Sequence, residues 1–416
     1  MNLKKEYDLI VVGGGASGMM AAITAAREKK NILLLEKLSQ IGAKLKASGG
    51  GRCNLTNTLS NEEFMAKFGR NGRFMQDALK EFDHKDLMHF FKEIGVETHA
   101  PDGFRVFPTS HSSQTIIKAL INEMQRLGVE ILTSQKVEKI VYVQNQIEGV
   151  KTEKETFYAK NVLIATGGLG YPTLGAEGDG HEMAKELGHK VTELYPAMMP
   201  LFVKEGWVAN CRADTIAKVE LRVALKKHSK LRAHGDLIFT KGGIRGPVVL
   251  DAARELTPLL DKYGEVPILV NLTKGMNEEQ ISNHLKEVLS KTPHITTLEL
   301  LNTLLPLPLS QELSLLTQTE PQMKYGKITG LQKAKLTALL AWTPLTVTGH
   351  EGFKMAMITN GGIDLKEIDP KTMQSKVTKG LYFCGEIMNL DGPCGGYNLQ
   401  WSFASGHMAG LLRKST

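Results

Sequence analysis

Cysteine is scarce in this chain: four residues (Cys53, Cys211, Cys384, Cys394) in 416, with no C-x-x-C pair. That argues against a disulfide framework, and neither a dithiol relay nor a thiolate metal site is indicated. No metal is expected. A reducing, cytoplasmic setting follows as the default. No stretch of about 18 uncharged apolar residues occurs, so no membrane span is expected. The first strand-like run begins at Tyr7, which leaves no room for a signal peptide ahead of it. Internal repeats and low-complexity tracts are absent. What remains is a 416-residue chain of ordinary globular composition, 42% hydrophobic and 23% charged, with room for two or three domains.

The most informative stretch is Tyr7–Gly18, Y-D-L-I-V-V-G-G-G-A-S-G. It reads as a buried strand entering G-x-G-x-x-G and then a helix. Gly13 permits the tight turn out of the strand, Gly15 lets a pyrophosphate approach the backbone, and Gly18 lets helix and strand pack closely. The helix then aims its first free N–H groups at the phosphates. A second strand, Asn31–Leu35, ends in Glu36, about 20 residues beyond the glycines, where a carboxylate takes ribose hydroxyls. An acid here argues against a ribose 2′-phosphate, and so against NADP at this finger.

Two further segments read as walls around the same extended ligand. Gly42–Asn54 (G-A-K-L-K-A-S-G-G-G-R-C-N) has too many glycines for a regular element and too many donors for a linker. Asn161–Gly168 is a buried strand ending in A-T-G. Near the C-terminus, Gly380–Glu386 is a short strand ending in G-E. It is followed by Asp391–Gln400 and a helix that starts after a glycine pair, with Asn398 as its expected cap. Nucleotide-domain signals at both ends make the middle an insertion. The expected domains are 1–190 and 349–416 around an insert at 191–348, whose helical part spans about 273–340.

Between these segments, apolar spacing predicts helices over Asn61–Gly95, and Ser112 or Ser113 is expected to cap the next one. Val129–Thr133, Lys136–Val143 and Gln146–Lys151 read as one small strand cluster, and His181–Leu187 as a helix. Thr215–Leu225 and Asp236–Thr240 alternate as an antiparallel sheet or small barrel would. The net charge is +7, and between Lys204 and Arg232 eight Lys/Arg face three Asp/Glu. Such a run is a solvated face or a footprint for an anionic partner. From Arg212 to Arg232 it has no interleaved aromatics, which counts against nucleic acid without excluding it.

D-L-I-V-V-G-G-G-A-S-G, S-G-G-G-R-C-N-L-T-N, H-G-D-L-I-F-T (His234–Thr240), G-L-Y-F-C-G-E and G-G-Y-N-L-Q-W together resemble the YhiN/BaiN-type NAD(P)/FAD-dependent oxidoreductases. These are distant relatives of the fumarate reductase flavoproteins. The resemblance runs from end to end. It implies an α/β fold: a glutathione-reductase-like FAD-binding Rossmann domain with an inserted β-barrel-like plus helical domain. It also implies FAD lined by Gly13, Gly15, Ser17, Gly18, Glu36, Ser48, Arg52, Asn54, Thr166, Gly167, Gly385, Glu386, Asn398 and Leu399. Ala16, Lys37, Lys44, Gly49, Gly50, Val137, Ala165 and Gly396 complete the candidate set. Two departures matter: no histidine lies between Ile41 and Asn54, so FAD is expected to be non-covalent, and Asn389-Leu390-Asp391 stands where the family often has D-x-D.

Only one complete dinucleotide finger is visible, so no separate NAD(P)H domain is expected. NAD(P)H is the expected transient donor, leaving a hydride on flavin N5 for a small organic acceptor in a cleft between the FAD domain and the insert. Arg105 is the candidate catalytic residue, as an anchor for a carboxylate or enone oxygen, against the plainer reading of a surface ion pair. His111 and Tyr171 are alternative proton donors. The rival functions are an FAD- and folate-dependent tRNA-modifying flavoprotein holding RNA on the basic insert face, and a flavin-binding sensor without turnover.

Overall fold

The computed structural model describes residues 6–413. The chain folds as two compact units: one runs through Tyr195 and resumes at Met357, the other is Pro196–Ala356. Each has its own apolar core.

The first unit is built on a five-stranded parallel sheet. Its order is Leu381–Phe383, Val162–Ile164, Leu9–Val12, Ile32–Leu35, Glu130–Leu132. Four of the five sequences, L-Y-F, V-L-I, L-I-V-V and I-L-L-L, are hydrophobic at every position and buried at every position. Continuous apolar runs of this kind fit a parallel sheet covered on both faces. The helices Ala16–Arg27 and Tyr397–Gly410 lie against each other through small residues: a Cβ on Gly410 would stand 2.5 Å from Ala21 O. Glu130–Leu132 corrects the expected strand cluster. It joins the edge of the parallel sheet beside Ile32–Leu35, while Val137–Val143, Gln146–Thr152, Thr156–Ala159 and Glu6–Tyr7 form a separate four-stranded sheet.

In the helix Ser113–Arg126, Ser112 occupies the cap position, but its side chain makes no bond to the first turn. Ser113 Oγ instead donates to Lys46 O at 2.8 Å. The helix after the A-T-G segment starts at Asp179, two residues earlier than the sequence suggests.

The second unit is a closed antiparallel barrel of six strands: Leu201–Val203, Gly243–Arg245, Arg232–Phe239, Thr215–Val223, Val266–Asn271 and Thr343–His350. The helix Pro247–Tyr263 buries Val248, Val249, Ala252, Ala253, Leu256 and Leu260 in the same core. The helical part contains Glu278–Lys291, Thr297–Asn302, Leu307–Leu316 and Gly330–Ala341. Reciprocal caps start three of these (Asn277 with Gln280, Thr296 with Glu299, Thr329 with Gln332), satisfying amides the helix itself cannot pair. Among the described residues, no helix is long and apolar enough to cross a membrane.

Candidate active site

The site is built where three strand ends of the parallel sheet meet glycine-rich turns. Gly13 has φ +107°, and a Cβ there would stand 2.6 Å from Ala165 O, so the first turn and the A-T-G strand touch backbone to backbone. Gly15 is different: nothing lies within 4 Å of the place a Cβ would take. It precedes the helix Ala16–Arg27, whose first turn carries no acid and no capping side chain. The first N–H of that helix to bond within it is Met19, on Gly15 O at 3.0 Å. The amides of Ala16, Ser17 and Gly18 therefore stand at an uncapped positive helix end beside open space, which fits a phosphate.

Glu36 is fixed by the turn it serves. Its Oε2 accepts from Gly14 N–H and its Oε1 from Leu38 N–H, both at 2.9 Å. It lines an open cleft together with Gly13, Val137, Thr166 and Lys37. Thr166 Oγ1 is buried beside Gly180 with no hydrogen-bond partner. Lys37 faces the same cleft with its ammonium 2.6 Å from both Glu177 and Asp179; burial opposes its charge, and these two acids outweigh that to raise its pKa. Lys136 stands 3.4 Å from Asp179.

The second turn uses Gly49, Gly50 and Gly51 at φ +56°, +65° and +87°, and space is open around Gly50 and Gly51. Ser48 Oγ donates to Leu45 O at 2.7 Å. Lys44 reaches across to Glu386 (2.6 Å), and Glu386 Oε1 accepts from Thr359 N–H at 2.9 Å. Gly385, at φ +77°, lies against Ser17, so the first and third fingers touch as well. With its side-chain amide turned to match its neighbours, Asn54 accepts from Gly396 N–H (3.1 Å) and donates to Thr56 O (3.0 Å).

Gly396, at φ +85°, is the cap residue of the helix Tyr397–Gly410, which corrects the assignment of that role to Asn398. A Cβ at Gly396 would stand 2.5 Å from Thr56 O, so only glycine fits this close approach. Asn398 instead ties down the preceding loop, accepting from Gly392 N–H and donating to Gly392 O, both at 2.8 Å. Leu399 packs on the core from the same turn. Thr359, Thr56 and Asn57 belong to the site but were not picked from the sequence. Asn57 is fully buried and donates to Gly395 O at 2.9 Å; its signal was present, since T-N closes S-G-G-G-R-C-N-L-T-N.

Two arginines nearby are exposed, and Arg52 Nε donates to Gly49 O at 3.4 Å. Arg52 lies 5.6 Å from the Phe107 ring, and Arg105 stands 6.0 Å from the same ring. Arg105 Nε donates to Asp102 at 2.7 Å, and hydrogen bonds from its backbone and side chain hold the Asp102 carboxyl down to about 2. The geometry of Arg105 is that of an exposed ion pair. His111, at φ +49°, is exposed with its ring 4.8 Å from that of His99, and Tyr171 is half-buried at φ +57°.

One other constellation has the contacts of a nucleophile–base–acid triad. His189 stands 2.8 Å from Ser375 Oγ and 3.1 Å from Glu367. Ser375 Oγ also accepts from Val377 and Thr378 N–H and is buried, so it pins a turn rather than meeting a substrate.

Comparison with known proteins decides the family, because residues 7–412 match the HI0933-like protein Rossmann domain. The chain belongs to the HI0933-like family. It is an FAD-dependent oxidoreductase. This HI0933-like chain is 30% identical, over 91% of both sequences, to the 3-dehydro-bile acid delta(4,6)-reductase of Clostridium scindens. It is 28% identical, over 96% of both, to the ribosomal RNA dihydrouridine synthase of Escherichia coli. Among solved structures, it resembles the 3-ketosteroid-delta4-(5alpha)-dehydrogenase of Rhodococcus jostii with a TM-score of 0.52 at 16% identity, covering 99% of this chain and 98% of that one. That likeness concerns the fold.

Proposed function

We propose that this protein uses NAD(P)H to reduce a carbon–carbon double bond conjugated to a carbonyl, on FAD held without a covalent link. The observation that carries the reading is the convergence of three glycine-rich turns on one cradle, tied by Lys44–Glu386, Ser17–Gly385 and Asn54–Gly396. In this reading Gly13, Gly15, Ala16, Ser17 and Gly18 hold the pyrophosphate. Glu36 takes the adenosine ribose, with Lys37 and Val137 beside it. Ala165, Thr166 and Gly167 run along the cofactor. Lys44, Ser48, Gly49, Gly50, Asn54, Gly385 and Glu386 form the second wall, and Gly396, Asn398 and Leu399 place a helix end near the flavin. Arg52 is a rim residue.

The choice of acceptor rests on chemistry common to the relatives' names. One reduces unsaturation in a 3-dehydro bile acid, and the other converts uridine to dihydrouridine in ribosomal RNA. Dihydrouridine differs from uridine by one hydride and one proton across a ring double bond conjugated to a carbonyl. When bound, FAD supplies the hydride relay, with NAD(P)H oxidised to NAD(P)⁺ and the acceptor gaining the hydride at its β-carbon and a proton at its α-carbon. The protein's own part is to fix the geometry and present the uncapped helix end of Tyr397–Gly410, whose positive dipole favours negative charge. Dependence on NAD(P)H also suits a cytoplasmic setting.

Anaerobic mixing of holoprotein with NADH or NADPH is expected to bleach the flavin band with at least one of them. No bleaching with either would rule out NAD(P)H as donor. Glu36→Ala is expected to weaken FAD binding about 10- to 100-fold, the range for losing hydrogen bonds to a charged group. Fluorescence titration of apoprotein checks it, and wild-type affinity would remove Glu36 from the ribose.

A further inference from the structure

Of the eight basic residues in this run of the insert, three are paired, three share one turn, and Arg212 and Lys218 stand exposed elsewhere. Lys204 stands 3.1 Å from Glu265, Arg232 stands 2.8 Å from Glu220, and the Arg222 guanidinium lies 3.7 Å above the Trp342 ring. These are paired within the barrel. Lys226, Lys227 and Lys230 are not: they sit exposed on the turn joining Thr215–Val223 to Arg232–Phe239. No carboxylate forms an ion pair with them among the described residues.

The same turn receives an aromatic residue from a separate element. The helix Pro247–Tyr263 ends beside it, and Tyr263, 42% exposed, holds its ring 6.0 Å from that of His228, with its hydroxyl 3.5 Å from His228 Nε2. Lys262 Nζ stands 5.2 Å from the Tyr263 ring. Three neighbouring ammonium groups without acids repel one another, and a large exposed ring is left partly in water; both costs fall when a polyanion with flat bases is bound. Lysines tracking phosphates beside an aromatic face on which a base stacks is the arrangement of single-stranded nucleic-acid binders.

We propose that this turn is a docking surface for RNA, with Lys226, Lys227 and Lys230 on the phosphates and Tyr263 under a base. The proposal rests on the reductase reading above insofar as the RNA carries the conjugated double bond, as a uridine. An anionic membrane is the rival class, and the exposed ring, held edge-on to an imidazole rather than set in an apolar patch, favours RNA.

The test is fluorescence anisotropy of holoprotein with a fluorescein-labelled RNA stem-loop bearing loop uridines, across a salt series, with phosphatidylserine vesicles in parallel. The triple variant K226E/K227E/K230E is expected to bind RNA at least 10-fold more weakly. Its log–log salt slope should fall by about 2, from three phosphate contacts at about 0.7 each. Tyr263→Ala should bind about 5-fold more weakly or worse, at nearly unchanged slope. Both variants should keep wild-type FAD content, bleaching by NAD(P)H and turnover of 2-cyclohexenone. Unchanged RNA affinity in the variants, or tight binding to vesicles without binding to RNA, would overturn the proposal. Failure of the wild type to turn over cyclohexenone while RNA binding shows the predicted losses would instead overturn the reductase reading and support the docking surface.

Discussion

Gly15→Val is expected to give a folded protein that has lost FAD. Gly15 sits at φ −79° and ψ −174°, a backbone that any residue adopts, and no atom lies within 4 Å of its would-be Cβ. The chain alone therefore tolerates a side chain at this position. The space it would fill is the approach to the free amides of Ala16, Ser17 and Gly18, where the pyrophosphate belongs. FAD affinity should fall by at least about 100-fold, near 2.7 kcal/mol, while the melting temperature of the apoprotein stays close to wild type. Gly18→Val is the informative contrast, because its Cβ would strike Gly13 O in the bare chain. That variant should lose stability and flavin together. A Gly15→Val protein with wild-type flavin affinity would show that the first finger does not hold the phosphates.

Acid is expected to destabilise the first unit well before its carboxylates titrate. His407, on the C-terminal helix, stacks on Phe82 with ring centres 4.5 Å apart, and its Nδ1 lies 3.1 Å from Thr24 Oγ1. Burial pushes its pKa down from 6.5 to about 4, with Glu81 opposing and Arg413 and Arg27 assisting. Between these two values the unfolded chain binds a proton that the folded chain refuses, so stability falls as pH drops from about 6.5 and levels off below about 4. A shift of this size corresponds to about 3 kcal/mol. Burial also lowers the pKa of His181 and His189, adding loss in the same direction. Urea titrations between pH 8 and 4.5 measure it, and His407→Gln should flatten the slope. Equal pH dependence in wild type and His407→Gln would remove His407 as the cause.

The sequence displayed those parts of the site whose signal is local. The Gly13–Gly18 turn follows from spacing along one short stretch, and the position of Glu36 at the end of the second strand follows from the length of one βα unit. What escaped depends on neighbours distant in the chain. Asn398 looks like a helix cap because asparagine is a common one. Gly396 takes the role because Thr56, 340 residues earlier, leaves no room for a Cβ there. Glu130–Leu132 looked like part of a local cluster because strand pairing has no mark in one dimension; its partner proved to be Ile32–Leu35. The aromatic neighbour of the basic turn is not visible in the linear run, because Tyr263 reaches His228 from a different element.

The measurement that bears most directly on the central claim is the oxidative half-reaction. Holoprotein bleached anaerobically with the effective nicotinamide nucleotide is freed of excess donor and mixed with an acceptor, while the flavin band is followed. A 4-en-3-one steroid or uridine-containing RNA should restore the band, and the fully saturated ketone or dihydrouridine-containing RNA should not. Recovery at the same rate with saturated and unsaturated compounds, or with none of them, would contradict a reductase of conjugated double bonds.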